Sequence, residues 1–301
     1  MSPKVLQRIA IALGVLLLAW AALTVVRRSR WDTAGGLALP RVAPSAVDQV
    51  AFRAGLDTIV LVRRGDQWSV NGFPASAGGV QGFLEALGDT TLRSEIVAES
   101  PASHSRLGVD SAALRLAIRS GDTAVVDLRV GNRGPDFEGY YVRPDGAGAV
   151  YLLRGRFAEQ LGKTLADWRE KQVASIVPDS VARVQVLRGR AGWSMTRNGP
   201  AWALARGPAD SAGVARFLAH FNNLRATGFP EAADLDSIRF EPPDRAVTLY
   251  SAGGQPLLAL VFDSTSGGAF WARADTGGPI YRLDARATEL ATPAESTLRK
   301  P

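Results

Sequence analysis

Two stretches of this chain spell nearly the same phrase. Residues Phe73 to Leu84 read "FPASAGGVQGFL" and residues Gly207 to Leu218 read "GPADSAGVARFL", an offset of 134. Extended outward without a gap, the comparison pairs Val47 with Val181, Val50 with Val184, Gly55 with Gly189, Arg63 with Arg197, Gly65 with Gly199 and Trp68 with Trp202. Further on, "YYVRPDGAGAVYLLRGR" from Tyr140 faces "FWARADTGGPIYRLDAR" from Phe270 at an offset of 130. Solenoid repeats have periods of about 20 to 50 residues, so a repeat this long is domain-sized. The chain is therefore expected to hold one fold twice. The two lobes are residues 47–173 and 181–300, joined by 174–180, with a linker at 31–46 and a separate segment at 1–30.

Each lobe reads as α+β and mainly antiparallel. Ile59, Leu61, Trp68 and Val70 alternate around Gly55 and Gly65, as short strands with turns between them require, and Trp193, Met195, Trp202 and Leu204 repeat the rhythm. Val80, Phe83, Leu84 and Leu87 fall on one helical face, as do Val214, Phe217, Leu218 and Phe221. Ser76 and Asp210 stand where a helix N-cap belongs. Gly78, Gly79 and Gly82 weaken the first of these helices, which suggests close approach to a sheet. Further strands are expected at 114–118, 125–130, 140–142 and 150–153.

The first 30 residues differ in kind. From Ile9 to Val26 no residue is charged, and as a helix the run measures about 27 Å, near the thickness of a bilayer core. A membrane anchor, a cleaved signal peptide using Ala19-Trp20-Ala21 and a buried helix compete as readings. The anchor is preferred, because Leu23 to Val26 prolong the apolar run past the small-residue site. Basic residues on the two flanks balance, so charge leaves the orientation open.

The net charge of +6 comes largely from that segment, which holds five basic and no acidic side chains. The remainder is close to neutral, which argues against nucleic acid as a partner. Without cysteine there are neither disulfides nor thiolate metal sites. "LGKT" at Leu161 to Thr164 lacks the first glycine of a phosphate-binding loop, since Phe157 stands in its place. His104 and His220 read as surface or helix-flank residues. No catalytic residue, metal ligand or cofactor is expected.

The surface with most chemical promise is the repeated aromatic hairpin. Tyr141 and Arg143 share one strand face, Trp271 and Arg273 the corresponding face, and Tyr151 and Tyr281 lie on the returning strands. Rings beside guanidinium groups suit a glycan, a peptide or a lipid headgroup. Ordinary cross-strand packing, with Arg over a ring, is the competing explanation.

The order of "GDQWSV", "FPASAGGVQGFLEAL", "LGVD" at Leu107 to Asp110, "YYVRPDGAGAVYLL" and "LADWREKQV" at Leu165 to Val173 resembles the bacterial membrane-anchored family catalogued as domain of unknown function 4340. In the second lobe "FEPPD" replaces "LGVD" and "STLRKP" stands at the "WREK" position. The resemblance implies ABC-type (gliding-like) transporter subunits as partners. It also implies a single-pass signal anchor in the inner membrane, with the rest of the chain periplasmic or otherwise extracytoplasmic. The function expected on these grounds is a non-catalytic accessory or scaffold protein of a transporter-linked cell-envelope complex. An extracytoplasmic glycan- or lipid-binding module is the alternative.

Overall fold

The computed structural model describes residues 36–300 except positions 38, 41, 90 and 91. Internal contacts divide the chain into two compact units, the first ending at Arg169 and the second beginning at Glu170. The break thus falls ahead of the 174–180 stretch read as a linker.

Unit 1 contains β1 (Gln49–Ala54), β2 (Asp57–Arg64), β3 (Gln67–Val70) and β4 (Phe73–Pro74), then the helix Ala77–Leu87 and β5 (Arg93–Ala98). The helix His104–Leu107 leads to β6 (Leu114–Ser120), β7 (Thr123–Arg133), β8 (Gly139–Pro144) and β9 (Val150–Arg154), and the helices Arg156–Gln160 and Leu165–Trp168 follow. The strands form one nine-stranded sheet in the order β4-β3-β2-β1-β6-β7-β8-β9-β5.

Unit 2 contains β10 (Gln172–Ala174), β11 (Arg183–Arg188), β12 (Ala191–Asn198), β13 (Ala201–Leu204) and β14 (Gly207–Pro208), then the helix Ser211–His220. It continues with β15 (Leu224–Arg225), the helix Ala232–Leu235, β16 (Arg245–Tyr250), β17 (Pro256–Ser264), β18 (Phe270–Ala274), β19 (Tyr281–Leu283) and the helix Ala285–Ala291. Its eight-stranded sheet runs β14-β13-β12-β11-β16-β17-β18-β19, and β10 pairs with β15 apart from it.

The pairing register repeats with the sequence. Val50 faces Leu61 and Val184 faces Met195; Leu61 faces Val70 and Met195 faces Leu204. Val142 faces Tyr151 and Ala272 faces Tyr281. The recurring glycines explain the turns between these strands. Gly55 and Gly189 have φ of 57° and 56°, and Gly65 and Gly199 have φ of 62° and 60°, a region that L side chains seldom enter. Recurring Arg63 and Arg197 reach back to equivalent carbonyls, those of Ser45 and Asp179.

The longest helix of each unit packs on the core face of its sheet, joined there by shorter ones. Val80, Phe83, Leu84 and Leu87 are all buried, as are Val214, Phe217, Leu218 and Phe221, so the helical periodicity marks the core face in both copies. Ser76 accepts a hydrogen bond from the Gly79 N–H, and Asp210 accepts from Ala212 and Gly213, closing the free first turns. The glycines of the first helix do not serve close approach to the sheet. A Cβ on Gly78 or Gly82 meets nothing within 4 Å, while one on Gly79 meets the Ser76 side chain at 3.2 Å. Gly79 therefore makes room for the cap.

The last residues of each unit return to the strand before its helix. Ala75 bridges Arg169 and Ala209 bridges Arg299. Trp168 and Leu298 accept from the backbone N–H groups of Ser76 and Asp210, both at 2.8 Å. Trp168 is fully buried, its ring 5.7 Å from Phe52 and 5.5 Å from Phe83. The "STLRKP" ending thus takes the place of "WREK" with Leu298 as the smaller plug.

The expected transmembrane element is corrected. Among the described residues no helix is long and apolar enough to cross a membrane. The helix Ala77–Leu87 has 11 residues and is about 16 Å long, half of a hydrocarbon core. The segment Ile9–Val26 lies outside the described residues. The fold is two α+β units with β-rich sheets, and none of its described helices supplies the expected single-pass inner-membrane span.

Candidate functional site

The six hairpin residues do not share one open surface. Tyr141 packs with Leu107, Val109 and Val150, on the sheet face opposite the helix. Arg143 donates through Nε to the Val109 carbonyl and through Nη1 to that of Ala147, both at 2.9 Å. Unit 2 repeats the arrangement: Trp271 is buried with Ile238, Phe240 and Val261, and the Arg273 guanidinium lies 4.5 Å from the centre of the Phe240 ring. "LGVD" and "RFEPPD" are thus covers laid over the same part of two sheets. Tyr151 is half-buried against the helix-side core, and Tyr281 stands 5.9 Å from Phe229. Recurrence at these positions follows from packing.

Asp145 accepts a hydrogen bond from Arg129 Nε at 2.9 Å and lies 3.3 Å from Arg115. The Arg129 hydrogen bond, opposed by partial burial and helped by the nearby guanidinium charges, holds its carboxyl below the usual range. His104 and His220 each bond a backbone carbonyl, Gly148 at 2.8 Å and Ala287 at 2.9 Å. Lys163 of "LGKT" lies over the Trp168 ring at 4.5 Å, and burial lowers its pKa. Among the described residues no group of three His, Asp or Glu side chains is placed to hold a metal ion.

An open groove lies instead on β2, β3 and β4 of unit 1, with a volume of about 750 Å³. Val60, Val62 and Trp68 supply apolar walls; Arg64, Asp66, Gln67 and Ser69 interleave polar groups; Phe73 and Pro74 close one end. Asn71, at φ 47°, accepts from the Val60 N–H and donates to the Thr58 carbonyl, both at 2.7 Å, which fixes the turn beneath the groove. The Phe73 ring is 38% exposed and carries the Arg169 guanidinium 3.8 Å over it. Its orientation is therefore held by a charge stacked on one face.

The second copy keeps Trp202 and Pro208 in place of Trp68 and Pro74 but lacks the rest of this lining. At the same register it places Asn198, Pro200, Ala201, Ala203, Ala205 and Gly207 where unit 1 has Arg64, Asp66, Gln67, Ser69, Asn71 and Phe73. Two copies of one backbone thus differ in side-chain chemistry over one patch. Recurring residues mark only Trp68, Pro74 and Ala75 of this patch. The signal that finds it is the set of positions where otherwise matching copies disagree.

A family model described as Domain of unknown function (DUF4340) matches residues 68–243, more than half of the chain. No curated protein and no solved structure matches. Neither the family match nor the fold carries a transporter subunit or a membrane complex with it, so the ABC-transporter partnership and the accessory role built on it are withdrawn.

Proposed function

The chain belongs to the family described as Domain of unknown function (DUF4340), and from the geometry of unit 1 we propose that it is a non-catalytic binding module that takes a saccharide in the Trp68–Phe73 groove. The observation that carries this reading is the mixed aromatic and polar lining of the groove in one copy against the mostly small, uncharged residues that replace its polar groups and Phe73 in the other. A sugar ring presents C–H faces and hydroxyl groups side by side. It needs flat apolar surface within reach of hydrogen-bonding groups, and a groove of several hundred Å³ suits a ligand of that size. Gln67 and Ser69 supply amide and hydroxyl partners, Arg64 and Asp66 charged ones, and Phe73 and Trp68 the aromatic surface. A saccharide is favoured over an acyl chain because polar side chains interrupt the apolar wall.

Isothermal titration of the full chain with neutral β-1,4-linked tetrasaccharides of glucose and of N-acetylglucosamine tests the reading. Saturable binding is expected, weakened about tenfold by Phe73→Ala and by Gln67→Ala, a loss of about 1.4 kcal/mol each. Both side chains are exposed or rim residues, so the thermal transition stays in place. Absence of saturable binding, or binding that ignores both substitutions, overturns the proposal.

A further inference from the structure

A second cavity, of about 620 Å³, lies at the other side of the unit 1 sheet. Three arginines line it, and the strand register explains how they meet. Arg133 on β7 is the partner of Tyr140 on β8; Gly139 is the partner of Arg154 on β9; Arg154 is the partner of Arg93 on β5. Four consecutive strands therefore bring Arg133, Arg154 and Arg93 into one row across the end of the sheet. Like charges on facing strand positions destabilise a sheet unless something answers them.

The carboxylates nearby answer only part of this charge. Asp136 holds Arg154, accepting from its Nε at 2.9 Å, and Glu95 lies 4.0 Å from the same guanidinium. Among the described residues Arg93 and Arg133 form no ion pair, although Glu138 and Glu159 also line the cavity. Arg133 instead donates to the Tyr140 hydroxyl at 3.0 Å, with its guanidinium 5.2 Å from the ring centre. That contact orients the group without neutralising it.

The rim of the cavity is built as well. Phe137, 74% exposed, has a φ of 60°, a conformation that a bulky side chain rarely adopts. Its N–H bonds the Gly134 carbonyl at 3.0 Å, and Asp136 accepts from the Glu138 N–H while holding Arg154. The turn therefore presents an aromatic ring to solvent beside the arginine row. Unit 2 does not repeat the arginine row at the matching strand positions. The matching pair there is Ser264 with Phe270, and the residue after Leu283, corresponding to Arg154, is Asp284, a helix cap.

We propose that the row Arg93–Arg154–Arg133, with Tyr140 and the exposed Phe137, is a binding site for an oxyanion-bearing ligand, a phosphate or carboxylate carried on a small organic body. Guanidinium forks match such groups with paired hydrogen bonds, and the cavity is larger than an inorganic ion requires. The site is separate from the Trp68–Phe73 groove in position and in chemistry, so either stands without the other.

The test titrates the full chain with glucose 6-phosphate, galacturonate, inorganic phosphate and vesicles of phosphatidylcholine with phosphatidylglycerol. It is read by calorimetry, and for the vesicles by co-sedimentation. The expected result is saturable binding of at least one organic anion, weakened by added salt. The Arg93→Ala/Arg133→Ala double variant is expected to lose at least tenfold in affinity, while Arg216→Ala, a surface arginine of unit 2, leaves it unchanged. Binding of the soluble anions assigns the site to a free metabolite or sugar acid, and binding of the vesicles alone, lost in the double variant, assigns it to a lipid headgroup. No saturable binding by any probe, or binding equal in the double variant and the Arg216→Ala control, overturns the proposal.

Discussion

Replacing Gly82 by Ala should stabilise unit 1. Gly82 is an interior residue of the helix Ala77–Leu87, and a Cβ placed on it meets no atom within 4 Å. The substitution therefore adds no clash, and what it changes is the backbone. Gly is about 0.8–1.0 kcal/mol less favourable than Ala inside a helix, chiefly because the unfolded glycine samples more conformations. Gly78 has the same open surroundings but sits in the first turn, where roughly half of that gain is expected. The double variant Gly78→Ala/Gly82→Ala should then gain about 1.3 kcal/mol. In urea, with a slope of about 1–3 kcal/mol/M, the midpoint should rise by roughly 0.4–1.3 M. Hydrogen exchange of the Val80–Leu87 amides reports the effect locally, whatever unit 2 does. The contrasting substitution is Gly131→Ala, where the new Cβ would lie 2.3 Å from the Leu107 carbonyl oxygen. Backbone must move there, and a loss of about 1–3 kcal/mol is expected. A lowered midpoint for Gly82→Ala, or no loss for Gly131→Ala, would refute the reasoning.

Two further outcomes follow from the cores and the titratable groups. Phe83→Ala should cost about 3–5 kcal/mol by chemical denaturation, and more than Phe217→Ala, because Phe83 touches the rings of Phe52, Phe157 and Trp168 whereas Phe217 touches those of Trp193 and Phe221. Burial, opposed by the Ala287 hydrogen bond and the Asp284 charge, pushes the His220 pKa down, so the unfolded chain takes up its proton first as pH falls through about 6.5. Stability should therefore drop from that pH downward, and His220→Gln should flatten the drop in thermal melts recorded from pH 7 to 5. Burial raises the Glu289 pKa, but hydrogen bonds and charge from Arg188 and Arg245 outweigh it and leave the pKa lowered. Its contribution is present above the unfolded carboxylate value of about 4.3 and is lost as pH falls below it, so Glu289→Gln should make the acid limb shallower.

The helices and most strands were legible because burial imposes a period. Val80 to Leu87 and Val214 to Phe221 had to be apolar at helical spacing, and the runs near Leu114, Val125, Tyr140 and Val150 became β6 to β9. The strand β5 was not, since an edge strand reading "RSEIVA" shelters no side chain fully and leaves no apolar row. The role of Gly82 was hidden for a different reason: a glycine letter carries no record of whether its missing Cβ faces a sheet or water. The covers over Tyr141 and Trp271 come from loops about thirty residues upstream in the chain, a separation over which periodicity carries no information. The arginine row escaped because the two copies differ there, and the groove because, Trp68, Pro74 and Ala75 apart, its lining is made of residues on which they differ.

Sheets that share one register are also templates for each other while the chain folds. A newly formed β2 carries the alternation that β11 accepts from β12, and β12 the alternation that β1 accepts from β2. Duplicated domains are prone to such exchange, which traps chains in crossed pairings and exposes apolar faces to aggregation. The outermost strands oppose it at one edge of each sheet: Pro74 on β4 and Pro208 on β14 have no N–H to offer an incoming strand. Divergence between the copies therefore does more than create different sites, because each mismatched side chain also lowers the stability of a strand paired in the wrong sheet.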